Sequence, residues 1–206
     1  MEHEHILQLN KNFDSEIPDV MTWLDIHINT LLLELQQIHT AVYIFKTVDE
    51  EWNRLVGTNS PPGYSAIRTS LYEALVYRII LGLNKIFSNS KEYSLLKATN
   101  QIEQLKLKNE SIEKLIKEIR TKREASEMIK IIHEYRNTFY AHLDKQSVHS
   151  HFRIEPSAIM NHIDIKEIKE WILLVGNFYN SCFNRKLDTE HELPKKEDIL
   201  HTFFWQ

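Results

Sequence analysis

The chain is short of several things, and each shortage removes a class of protein. It has one cysteine, Cys182, in 206 residues, so an internal disulfide and a thiolate metal cluster are both excluded. Glycine occurs 4 times and proline 5 times. With Leu, Ile, Glu and Lys abundant, that scarcity favours helix over strand. No apolar run approaches the ~18–20 residues of a membrane span. The first residues, MEHEHILQLNK, carry acids and histidines where a signal peptide needs basic side chains. The expectation is a cytoplasmic protein in a reducing setting, with no membrane partner. Neither a Gly-rich phosphate loop, nor a Ser-centred nucleophile elbow, nor a paired-carboxylate helix motif is visible.

What is there suits one domain with a real core. The net charge of −4 is unevenly spread. Residues 1–58 hold 3 basic and 10 acidic side chains, whereas residues 106–145 hold 10 and 7. That basic stretch permits a polyanion-binding surface, although Lys and Glu at i,i+4 spacing more often simply solvate a helix face.

Apolar residues recur every seventh position as Ile17, Leu24, Leu31, Ile38, Phe45 and Trp52, with Met21, Ile28, Leu35, Val42 and Val56 filling in behind most of them. This predicts one helix of roughly forty residues, about 60 Å long, or two collinear helices broken near Thr47. The TNSPPG run, Thr58 to Gly63, ends it, because two prolines deny backbone donors. Further helices are predicted over 65–87, 95–107, 111–143 with a bend near Thr121, and from Ile165 through Cys182. Asp164 is the N-cap of the last, and Glu167 three residues on completes a capping-box pattern. Cys182, on its apolar stripe, reads as core filler. The expected fold is an all-α up-and-down bundle over residues 1–186, with one very long N-terminal helix. Residues 187–206 form a tail apolar enough to dock on the body.

One stretch stands out: EYRNTFYAHLDK, Glu134 to Lys145. At about 100° per residue, with Met128 at zero, the apolar stripe of its helix spans roughly 0° to 100°. Arg136 then falls at about 80°, His142 at about −40° and Asn137 near 180°. A guanidinium on a buried stripe costs several kcal/mol unless a carboxylate pairs with it or a cleft stays open for an anion. One alternative is a structural Arg136 paired with Glu134 or an acid of the first helix, and a His142 satisfied by the helix C-terminus. The other is a site. Since Arg136 and His142 are about 120° apart, that site needs a helix end that swings, or a second copy crossing at Ala141.

At these residues the chain resembles the HEPN superfamily, most closely its abortive-infection members of the AbiU type. The resemblance rests on Arg136, Asn137 and, after five intervening residues, His142, late in an all-α chain, and on LGLNKIFSNSKEYSLL at residues 81–96. Its layout covers most of residues 17–185. It implies a metal-independent endoribonuclease, without cofactor, acting as a homodimer with the motif helices facing across a cleft. RNA would be cut by its own 2′-hydroxyl, with Arg136, Asn137 and His142 as the catalytic set. It also implies a toxin or antiviral abortive-infection effector, with a cognate inhibitor or antitoxin as a further partner. Tyr135, Phe139 and Tyr140 could stack on bases. Where family members silenced by nucleotide transfer carry a Tyr, this chain has Asp144, which argues against that form of control. The alternative from another class is a catalytically silent helical module that binds RNA or a protein partner through the same groove. The pairs His3 with His5 and His149 with His151 have chelating spacing but lack a nearby Cys.

Overall fold

The structure is a computed structural model, and it describes residues 17–55, 64–89, 93–105, 109–143, 159–185, 187 and 189–204. Among these, every regular element is helical: α1 (Ile17–Leu55), α2 (Tyr64–Phe87), α3 (Leu95–Gln104), α4 (Glu110–Ala125), α5 (Glu127–Leu143), α6 (Ile165–Phe183) and α7 (Lys196–Phe204). None is long and apolar enough to cross a membrane.

α1 is one unbroken helix of 39 residues, about 58 Å long, with no break at Thr47. The heptad seam explains why it holds together. Leu24, Ile28, Leu35, Ile38 and Val42 are fully enclosed, and Leu31, Phe45 and Trp52 nearly so. Burial reaches beyond the seam to Leu32, Ala41 and Val48, because α1 is flanked on several sides. α6 and α2 make its broadest contacts, followed by α7 and α3, while α5 packs on α2 and α4 on α6. At Gly82 α2 lies close against α1, since an added Cβ would lie 2.7 Å from Ile38 Cδ1.

Two boundaries differ from those the periodicity predicts. The 111–143 segment divides at Ser126, not near Thr121. Ser126 leaves the helical conformation at φ −69°, ψ 115°, and its hydroxyl accepts from the Ile129 N–H at 3.1 Å, so it caps α5. Ala125 therefore ends α4 as an exposed residue, while Met128, Ile129 and Ile132 are buried. Asp164 does cap α6, accepting from Lys166 N at 2.8 Å. Glu167, however, serves tertiary structure: its Oε1 accepts from Ser126 Oγ at 2.5 Å and from Trp171 Nε1 at 3.2 Å. A side chain that can satisfy one donor across a helix interface and another within its own helix gains more there than at one exposed cap.

After α6 the chain turns at Asn184, which takes the left-handed conformation at φ 49°, one that Asn tolerates. Leu187 N then donates to Asn180 Oδ1 at 2.7 Å. The Thr40 hydroxyl donates to Gln36 O at 3.1 Å and accepts from His191 Nε2 at 2.5 Å. Ile199 of α7 is buried, and Phe203 and Phe204 pack against the core. Cys182 is enclosed by the core as well, and burial pushes its thiol up to about 12. A thiol held there is a small hydrophobe rather than a nucleophile.

Candidate functional site

The motif residues lie on the second half of α5. Ser126 starts this helix and Glu127 in its first turn complements the dipole. Met128, Ile129 and Ile132 seat it on the core. Arg136 is half-buried and Asn137 exposed, and the guanidinium Nη1 donates to Asn137 Oδ1 at 3.2 Å. The fold thus brings together the two residues that helical projection separates by about 100°, because a long arginine side chain can bend back along its own helix. His142 belongs to the last turn of α5; its side chain lies outside the described residues, as do those of Phe139 and Tyr140. Since α5 stays helical through Leu143, the register keeps His142 about 120° round from Arg136.

Sequence reasoning passed over a polar seam one turn before Arg136. His133 Nδ1 meets Asn84 Oδ1 of α2 at 3.1 Å, the imidazole donating to the amide oxygen. Burial lowers the pKa of this imidazole, Arg123 lowers it further, the Phe87 carbonyl opposes weakly, and Arg136 lowers it again. His133 is therefore a neutral group at neutral pH. Beside it, Arg123 of α4 donates to the Phe87 carbonyl from Nε at 3.0 Å and from Nη2 at 2.9 Å, and also reaches Asn89 Oδ1. Phe87 is the last residue of α2, so the guanidinium caps a carbonyl that the helix itself leaves open. Desolvation lowers the Arg123 pKa without removing its charge. The available signal was spacing: His133 stands three positions before Arg136 and four before Asn137, on one helix face.

The basic stretch is largely used inside the fold. Arg120 forks onto Glu103 and reaches Asn100, Lys122 pairs with Glu170, and Lys130 pairs with Glu127. On α2, Arg78 is tied to Glu34 and Gln37. Tyr135 is half-buried against the core, and burial and then the neighbouring Tyr77 raise its pKa. Among the described residues no group of three or more His, Cys, Asp or Glu could hold a metal ion. The paired histidines of the two termini of the polar segments, His3 with His5 and His149 with His151, lie outside those residues.

A family model described as AbiU2, of HEPN type, matches residues 22–203. The chain belongs to the HEPN AbiU2 family. The match begins in α1 and runs past Lys186 into α7, so the docked C-terminal segment falls within the AbiU2 pattern. No curated protein and no solved structure matches the chain. Membership makes this an abortive-infection-related HEPN protein.

Proposed function

We propose that this AbiU2 chain is a metal-independent endoribonuclease whose site is built from Arg136, Asn137 and His142. The observation that carries the reading is the Arg136–Asn137 hydrogen bond, which sets a guanidinium and an amide side by side on the helix that also bears His142. RNA brings its own nucleophile, the ribose 2′-hydroxyl. The enzyme then has to move protons and steady the charge that builds on phosphorus. Arg136 braces two phosphoryl oxygens as that charge develops. Asn137, which both donates and accepts, orients the guanidinium or the phosphate. Histidine is the side chain suited to moving a proton at cellular pH, and His142 carries one to or from the reacting oxygens. The products are a 2′,3′-cyclic phosphate and a 5′-hydroxyl.

Two copies complete the site in this reading. With α5 continuous through Leu143, one protomer leaves His142 on a different side of the helix from Arg136, and a second α5 crossing the first supplies the missing face. Tyr77 and Leu81, each 42% exposed on α2 beside α5, give the second copy apolar surface to cover. The biological role is growth arrest or defence against infection inside the cell, with an inhibitory partner to restrain the activity.

The test is cleavage of a mixed RNA pool in EDTA by wild-type and Arg136→Ala protein. The expected outcome is wild-type activity ending in cyclic phosphates, reduced at least a hundredfold in the variant. If wild-type protein leaves every RNA intact while still binding it, the chain is a silent binding module instead.

A further inference from the structure

Three helices meet one turn before Arg136, and their polar groups are joined there. Asn84 and the Phe87 carbonyl come from the last turn of α2, Arg123 from the end of α4, and His133 from α5. Round α5, His133 lies about 60° from Arg136 and about 40° from Asn137, whereas it lies about 180° from His142. The imidazole that shares a helix face with the Arg136–Asn137 pair is therefore His133.

Its surroundings separate it from a histidine that merely fills space. Nδ1 is spent on Asn84, and Nε2 is enclosed with no hydrogen-bond partner among the described residues. With Nδ1 engaged by Asn84 and Nε2 enclosed, proton transfer to RNA is not its task. Arg123 and Arg136 are the charged groups that act on it. Its link to Asn84 is a side-chain hydrogen bond between α2 and α5 at the height where the motif begins. Apolar packing alone lets one helix slide or turn on another by fractions of an ångström at little cost. A directional hydrogen bond does not.

We propose that His133 is a positioning residue of this site: held by Asn84, it sets the rotation and height of α5 at the turn from which Arg136 and Asn137 project. This rests on the nuclease reading, which assigns Arg136 and Asn137 to the phosphate. The cost of losing the tether follows from geometry, since a misplacement of about 1 Å at a catalytic group costs about a hundredfold in rate.

The experiment compares RNA cleavage by wild-type, His133→Leu, which keeps bulk without a donor, and His133→Gln, which can still donate to Asn84. The expected result is a kcat about ten- to a hundredfold lower in the Leu variant with KM unchanged, and recovery to within a few-fold in the Gln variant. If His133→Leu folds and cleaves like wild type, the inference is overturned while the nuclease reading stands. A second readout works without turnover: amide hydrogen exchange and NMR shifts of the Arg136 turn of α5 in wild-type and Asn84→Ala protein, which removes the acceptor of the tether. Losing the tether should deprotect and shift that turn. A turn left unperturbed overturns the inference even if the Leu variant fails to fold or no RNA is cut.

Discussion

Two polar seams bind the helices together, and they are built from different partners. Along α1, cations and hydroxyls meet carboxylates. Tyr179 donates to Asp25 at 2.6 Å and Arg185 joins it at 2.9 Å, Arg78 pairs with Glu34, and Lys196 of α7 reaches Glu50 at 3.2 Å. Where α2, α4 and α5 meet, carbonyl and amide oxygens accept. Arg123 leans on a backbone carbonyl and an amide, His133 on Asn84, and Arg136 donates to Asn137. The first seam answers charge with charge and so absorbs the surplus acid of the N-terminal segment. The second holds the Arg123 guanidinium by dipoles, which fixes its position without cancelling its charge. A fold that must hold together can use the former, and the latter suits the proposed site, where a guanidinium would meet a phosphate.

The comparison can be broken at several points, starting with the residue both seams depend on. Trp171 is fully enclosed, packs at a tilt against Phe87 with ring centroids 4.7 Å apart and donates to Glu167. Trp171→Ala should cost about 3–5 kcal/mol in urea unfolding, loosening α6 and the end of α2 together. Next, Arg123→Ala strips the cap from the Phe87 carbonyl, and about 1.5–3 kcal/mol should be lost. Lysine at this position should recover little, because it cannot reproduce the fork. If Arg123→Lys is as stable as wild type, the dipole-held seam is not a geometric device.

Gly176→Ala tests the strap that follows α6. An added Cβ would lie 2.1 Å from Thr189 Cγ2, and a short β-branched side chain has little room to yield, so the loss should be about 1–3 kcal/mol. The smallest effect belongs to the carboxylate seam. Arg78 has a side chain 40% exposed, and Arg78→Ala should cost under about 1 kcal/mol.

Acid should separate the seams too. His27, His39 and His133 all have pKa values lowered from 6.5 chiefly by burial. The unfolded chain then binds protons that the folded chain refuses, so stability is full above about 6.5 and falls as pH drops through that range. His133→Gln should flatten the decline in Tm between pH 7.5 and 5.5. Glu34 and Glu51 are held low by Arg78 and Arg54. Their contribution should persist through that window and vanish only as pH falls below the ordinary carboxylate range near 4.5.

Much of the fold could be read from residue order. The seam from Leu24 to Trp52 marked α1, the Pro61–Pro62 pair marked its end, and Asp164 marked the start of α6. The misplaced bend in the 111–143 segment shows where such reading stops. Ser126 is one hydroxyl in a polar interval, and only Glu167, 41 positions later, makes it a junction. The site divides in the same way. Arg136 and His142 were visible as polar residues at an apolar stripe and Asn137 through the motif, but His133 was not, because its partner Asn84 lies 49 positions away on another helix.

By itself, then, the sequence determined the helical class, the apolar seam of α1 and the helical state of the segment that carries the motif. Periodicity is a local property: an apolar face recurs every 3.6 residues whatever the helix later packs against. Tertiary structure alone decided which polar groups meet. Arg123 could have faced solvent like its neighbour Glu124, and it caps Phe87 only because α4 and the end of α2 converge. Hydrogen bonds between helices depend on distances of a few tenths of an ångström, and those distances exist only once the core has set the helices in place.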